Sequence, residues 1–122
     1  MDILKKNVKG RDLEFIGNSQ EVLSTFPPDV KRKVGYAIRY AQSGLKHEHA
    51  KPFKDLGSGA FEIVEDFSGD TYRALYTVRL QHAVYVLHVF QKKSKTGIKT
   101  PQKEIDLIKA RFKIAKRIDD EK

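Results

Sequence analysis

Apolar positions follow two different spacings along this chain. Between Pro28 and Ser43, the residues Val30, Val34, Ala37, Ile38 and Ala41 recur at helical intervals, while Lys31, Arg32, Lys33 and Arg39 fall mostly on the opposite side. This predicts a helix that opens at Pro28 and is stopped by Ser43-Gly44. A shorter helix is expected before it. Asn18 followed by Glu21 has the spacing of a capping box, and Pro27-Pro28 must interrupt whatever starts there, because neither proline donates a backbone hydrogen bond. Leu13-Glu14-Phe15-Ile16 reads as a short strand.

The second half changes character. Phe61–Glu65, Tyr72–Val78 and Ala83–Phe90 are rich in aromatic and β-branched residues and are joined by short polar connections, Ser68-Gly69-Asp70 and Leu80-Gln81-His82. Three strands linked so closely form an antiparallel meander. Between the helical and the strand-rich parts, 45–59 is polar and carries Pro52, Gly57 and Gly59, the pattern of a surface loop. After the last strand comes a lysine-rich loop over 91–99. Thr100 is then expected to cap a helix with Pro101 at its first position and Ile105, Ile108, Phe112 and Ala115 as its apolar stripe. The order predicts an α+β domain: a small antiparallel-rich sheet, made of a short N-terminal strand and a three-strand meander, with two N-terminal helices and one C-terminal helix.

A length of 122 residues fits one domain over 1–122, with Lys5, Lys6, Lys9 and Arg11 making 1–11 a basic arm. No cysteine is present, which excludes disulfides, thiolate metal sites and cysteine nucleophiles. The longest apolar run, Ala83 to Phe90, is far too short for a membrane helix, and the N-terminus builds no signal-peptide core. The chain is therefore expected in the cytoplasm, with no membrane partner. Lysine and arginine number 24 against 16 acidic residues, a net charge of +8 that favours polyanionic partners or else simply keeps helix faces solvated.

Candidate chemistry is sparse. Arg73, Leu75, Thr77 and Arg79 share one face of a strand, where a mid-sheet guanidinium must either pair with Glu62, Glu65 or Asp66 across the hairpin or serve as a phosphate clamp. Lys92, Lys93, Lys95 and Lys99 gather between a strand end and a helix start, a setting that suits anions. His47-Glu48-His49 lacks the further ligands of a catalytic zinc site, so no metal is expected. His88, alternating with Val84, Val86 and Phe90, reads as a hydrogen-bonded core histidine sooner than a catalytic one, and His82 as a solvated turn residue. No glycine-rich phosphate loop, nucleophile elbow or paired-carboxylate spacing occurs, so nucleotide-dependent and common hydrolase chemistries find no support.

At Phe61-Glu62-Ile63, Tyr72-Arg73-Ala74-Leu75-Tyr76 and Val86 through Lys95, the chain resembles the RelE/ParE toxin superfamily, most of all its HigB-like, phage-derived branch. The resemblance spans about 12–118 and takes in the Lys-Pro-Phe-Lys-Asp-Leu segment and Thr100-Pro101. It implies a RelE-like fold and the toxin half of a type II toxin–antitoxin pair. The implied activity is a cofactor-free, metal-independent endoribonuclease that cleaves mRNA on the ribosome by attack of a 2′-OH on the adjacent phosphate. By position, Arg73, Lys92 and Lys93 are the implied catalytic residues, with Lys54, Arg79, Lys95 and Lys99 binding RNA. The implied partners are a helix-turn-helix antitoxin, mRNA and the ribosome, with DNA met only through the antitoxin complex. Glu62 stands where some relatives have a basic catalytic residue, and no tyrosine follows the lysine loop, so the proton acceptor is left open among Glu62, His88 and a lysine. A gyrase inhibitor of the ParE type and a plain nucleic-acid-binding module are the alternative readings.

Overall fold

The computed structural model describes residues 10–92 and 100–122. In chain order the elements are β1 (Asp12–Phe15), α1 (Ser19–Ser24), α2 (Pro28–Gln42), β2 (Ala50–Pro52), a 3₁₀ turn (Lys54–Leu56), β3 (Ala60–Phe67), β4 (Asp70–Thr77), β5 (Ala83–Lys92) and α3 (Gln102–Asp120). The architecture is α+β. One sheet runs in the order β1-β5-β4-β3-β2, with β1 parallel to β5 and every other pair antiparallel.

The apolar stripes set the layers. Val30, Val34, Ala37, Ile38 and Ala41 of α2 are all buried against one face of the sheet, with Ile63, Tyr72, Ala74, Tyr76, Val84 and Val86. Ile108 and Ala115 of α3 are buried against the other face, with Leu75, Tyr85, Leu87 and Phe90. β3 and β4 meet through a two-residue turn in which Ser68 and Gly69 both have positive φ, 51° and 86°. Such a turn matches the right-handed twist of the strands it joins.

Three sequence expectations about these elements are corrected. The 45–59 segment is not simply loop: Ala50–Pro52 adds a fifth strand at the sheet edge, and Lys54–Leu56 forms a 3₁₀ turn. A strand of three residues containing proline has too short a pattern to read, and an edge is where proline is tolerated. Asn18 makes no side-chain cap to α1; its Oδ1 instead accepts a hydrogen bond from Arg111 Nη2 at 2.8 Å. At α3, Pro101 itself occupies the cap position and Thr100 makes no cap. Of the basic stretch over 1–11, residues 1–9 lie outside the described residues, and Arg11 is described. Its guanidinium donates to the carbonyls of Val78, Leu80 and Ala83 and so ties Arg11 to the β4–β5 connection and the start of β5.

One irregularity changes which side chains share a face. Leu75 pairs with His88 but Tyr76 pairs with Val86, so Leu87 is an extra residue in β5. A bulge of this kind interrupts the alternation of the strand. Val84 and Val86 face α2, whereas His88 and Phe90 face α3, contrary to the uninterrupted alternation expected from the sequence.

Candidate functional site

A cleft of about 470 Å³ opens on the α3 side of the sheet, between the 3₁₀ turn, β3, β4 and the start of α3. Among its lining residues are Lys54, Asp55, Glu62, Arg73, Thr100 and Ile105. Strand periodicity places Arg73 there. In the β4–β5 register it lies opposite Phe90, so it projects to the face that carries α3.

Arg73 is only 6% exposed, and its Nη1 lies 2.7 Å from Glu62 Oε2. Of the three carboxylates that could have paired with it, Glu62 is the one that does: Val64 lies directly across from Arg73, which makes Glu62, across from Leu75, and Asp66, across from Thr71, its diagonal neighbours on that face. Thr100 Oγ1 also approaches Glu62 Oε2, at 3.4 Å. The remaining strand carboxylates are occupied elsewhere. Glu65 accepts from His49 Nδ1 at 3.2 Å, and Asp66 accepts from Thr71 Oγ1 at 2.9 Å.

Lys54 is exposed on the 3₁₀ turn and forms one wall of the cleft. Lys92 closes β5 opposite Thr71, on the Arg73 face, and as Arg73's diagonal neighbour it lies about 7–8 Å away along the backbone. Lys93, Lys95 and Lys99 lie outside the described residues. Arg79 does not line the cleft. Beyond the end of β4, its Nη1 donates to the Leu56 carbonyl at 2.9 Å, and its guanidinium sits 4.8 Å from the centre of the Phe112 ring. There it fastens the 3₁₀ turn to α3.

His88 is buried and stacked on Phe90, with ring centres 5.1 Å apart. Arg111 Nη1 lies 3.2 Å from His88 Nδ1, and since arginine only donates, Nδ1 is the acceptor. Nε2 must then carry the proton that it shares with Glu104 Oε1 at 2.7 Å. Burial holds the His88 pKa below its ordinary value, assisted by the Arg111 charge and opposed by Glu104. This ring does not line the cleft, and it holds α3 against β5.

Among the described residues, no group of three or more His, Asp or Glu side chains is arranged to hold a metal, and no helix is long and apolar enough to cross a membrane. Sequence reasoning missed Asp119. It is 4% exposed and accepts the backbone N–H groups of Gln81 and His82, at 2.8 and 2.7 Å, and the Tyr85 hydroxyl at 2.9 Å.

The cleft thus presents a fixed guanidinium beside a carboxylate, with a lysine on its wall and another at the adjoining strand end. This set can bind a phosphate, stabilise added negative charge on it and exchange protons.

Comparison with known proteins adds a family. The description "Phage derived protein Gp49-like" matches residues 21–113. A chain of the toxin–antitoxin complex RelBE2 from Mycobacterium tuberculosis is 24% identical, with 73% of this chain and 98% of that chain covered and a TM-score of 0.40. No curated protein matches by sequence.

Proposed function

Since this chain belongs to the Gp49-like family of phage derived proteins, we propose that it is the toxin of a toxin–antitoxin pair and acts as a metal-independent endoribonuclease on translated mRNA. The observation that carries the chemistry is the Arg73–Glu62 pair on the floor of an open cleft. A guanidinium buried in a sheet is held rigidly, and rigid positive charge aimed at a reacting phosphate is worth more than the same charge in water. An incoming phosphate competes with Glu62 for Arg73, which frees the carboxylate next to the reacting group.

Glu62 then takes the proton of the 2′-OH while the 2′-oxygen attacks phosphorus. The bond to the 5′-oxygen breaks, a lysine ammonium protonates that oxygen, and the products are a 2′,3′-cyclic phosphate and a 5′-hydroxyl. Arg73 stabilises the charge of the phosphorane between these steps. Lys92 is the proposed proton donor, because it shares the Arg73 face at the strand end. Lys93 is its neighbour in sequence, Lys54, Lys95 and Lys99 are proposed to hold flanking phosphates, and Arg79 is left to the scaffold. A ribosome that presents the RNA bent for in-line attack would supply the remaining orientation. A helix-turn-helix antitoxin is the proposed partner in the resting state.

Mapping transcript ends after brief expression tests this reading. Cuts confined to translated frames support it, whereas intact transcripts with broken DNA favour a gyrase inhibitor. In single-turnover assays at saturating ribosome, Lys92→Ala should slow cleavage with little change in salt dependence, as expected for a group that acts in the transition state. Lys54→Ala should instead weaken binding and flatten the salt dependence by about one ion. Equal, small and purely salt-dependent effects of both would remove Lys92 from the chemistry.

A further inference from the structure

On the face of the sheet opposite the cleft, a second cavity of about 210 Å³ lies between the end of α2 and strands β3 and β4. It is smaller than the roughly 300–1,000 Å³ typical of small-molecule sites, and suits a single large side chain. Its walls are apolar: Ala41, Leu45, Phe61, Tyr76 and Val78. Leu45 is 59% exposed, the highest value of any large apolar residue described. Next to it Gly44, at φ 80°, leaves the mouth open, with nothing within 4 Å of where a Cβ would stand.

Two features say what would fill this cavity. Tyr76 is 99% buried, and its hydroxyl makes no hydrogen bond to any described residue. Burial pushes its pKa up to about 12, so it remains a neutral phenol with a donor and an acceptor to offer. The rim is cationic, formed by Arg11 and the exposed Lys46. An occupant should be apolar in body, carry one polar atom at its tip and sit in an acidic stretch of chain. Tryptophan meets the first two conditions, since its indole N–H can donate to the Tyr76 oxygen.

We propose that this cavity is the docking point of an acidic polypeptide partner, which anchors itself by inserting one tryptophan side chain between α2 and the sheet. The site depends on the proposal that the protein has a polypeptide partner, and not on the ribonuclease chemistry. Docking here leaves the Arg73 cleft uncovered, because the two cavities lie on opposite faces of the sheet.

The test uses the full chain and a short synthetic peptide of Glu and Ser with one central Trp, followed by fluorescence anisotropy and by ¹H–¹⁵N NMR. Binding should perturb Ala41, Leu45, Phe61 and Val78. Replacing the peptide Trp by Ala, or making Leu45→Asp on the exposed rim, should weaken binding by about tenfold or more. Lys46→Glu should weaken it as well. Tyr76→Phe should weaken the Trp peptide while leaving a Leu version unchanged. The proposal is overturned if the Ala peptide binds equally, if the perturbed signals surround Lys54 and Arg73, or if nothing binds up to about 1 mM. A protein that binds the peptide but cuts no RNA leaves the docking site standing. Cleavage without peptide binding overturns the docking site alone.

Discussion

Arg73 and Glu62 meet at 2.7 Å as diagonal neighbours on adjacent strands, with only 8% and 14% of their side chains exposed. The pair lies between scaffold and chemistry. Removing one member of a buried ion pair strands the other charge, and typically costs about 3–5 kcal/mol. Glu62 faces an open cleft that water can enter, so Arg73→Ala should cost about 3 kcal/mol, the low end of that range.

A double-mutant cycle separates the two roles. Arg73→Met combined with Glu62→Gln removes both charges, and should recover much of the stability that Arg73→Met alone loses. Cleavage should stay absent in the double mutant, because neither the guanidinium nor the carboxylate is present to act. Thermal melts and RNA cleavage on the same set of variants check this. A double mutant that regains stability and also cuts RNA would remove the pair from the mechanism.

Asp119 illustrates a strong interaction that a sequence pattern hides. An aspartate near the end of a charged helix reads as solvated, yet here it clasps the β4–β5 connection through two hydrogen bonds and β5 itself through a third, from Tyr85. Burial works to raise its pKa, but the N–H groups of Gln81 and His82 and the Tyr85 hydroxyl outweigh it and hold the carboxyl below its usual value. A depressed folded-state pKa contributes stability that is present above the unfolded value, about 3.9, and lost as pH falls through the folded one. Asp119→Ala should therefore destabilise the protein at pH 7 by about 2–4 kcal/mol, because it leaves buried donors unmatched. Asp119→Asn, which keeps one oxygen, should cost less. Melts below about pH 4 should bring both variants closer to the parent protein.

How far the sequence could be read depended on how local the cause was. The α2 stripe and its Pro28 start are set by residues within a few turns of one another, and the helix buries the five apolar side chains expected. The meander likewise follows from strands joined by short turns. Pairing across elements was harder to read. Nothing in Asn18-x-x-Glu21 says that Arg111, 93 residues away, will take the Asn18 oxygen. The β2 edge strand is too short to show a period, and it exists because β3 offers it a partner. The Leu87 bulge is invisible for the same reason: Leu87 fits the strand pattern, and only its register against β4 turns His88 toward α3. The candidate site was legible in part. Arg73 stood out as a charge in an apolar strand, but only the hairpin register turns Glu65 to the other face and leaves Glu62 and Asp66 as its diagonal neighbours, of which Glu62 is the one it meets.

His88 gives a prediction whose pH window is distinct from that of Asp119. Its neutral form is favoured in the folded protein, because burial penalises the imidazolium and Arg111 repels it, while Glu104 only partly compensates. The folded pKa lies below the ordinary 6.5, so the unfolded chain takes up a proton first as pH falls. Stability is then fully present above about pH 6.5 and declines as pH drops toward the folded value. His88→Gln should remove this loss below about pH 6.5 and leave the Asp119 transition unchanged. At pH 7 the variant should itself be less stable, since it gives up the stack on Phe90 and the hydrogen bonds to Arg111 and Glu104. Direct titration of the imidazole by NMR supplies the independent check. A His88 pKa above 6.5 would mean that Glu104 outweighs burial, and stability would then increase on mild acidification.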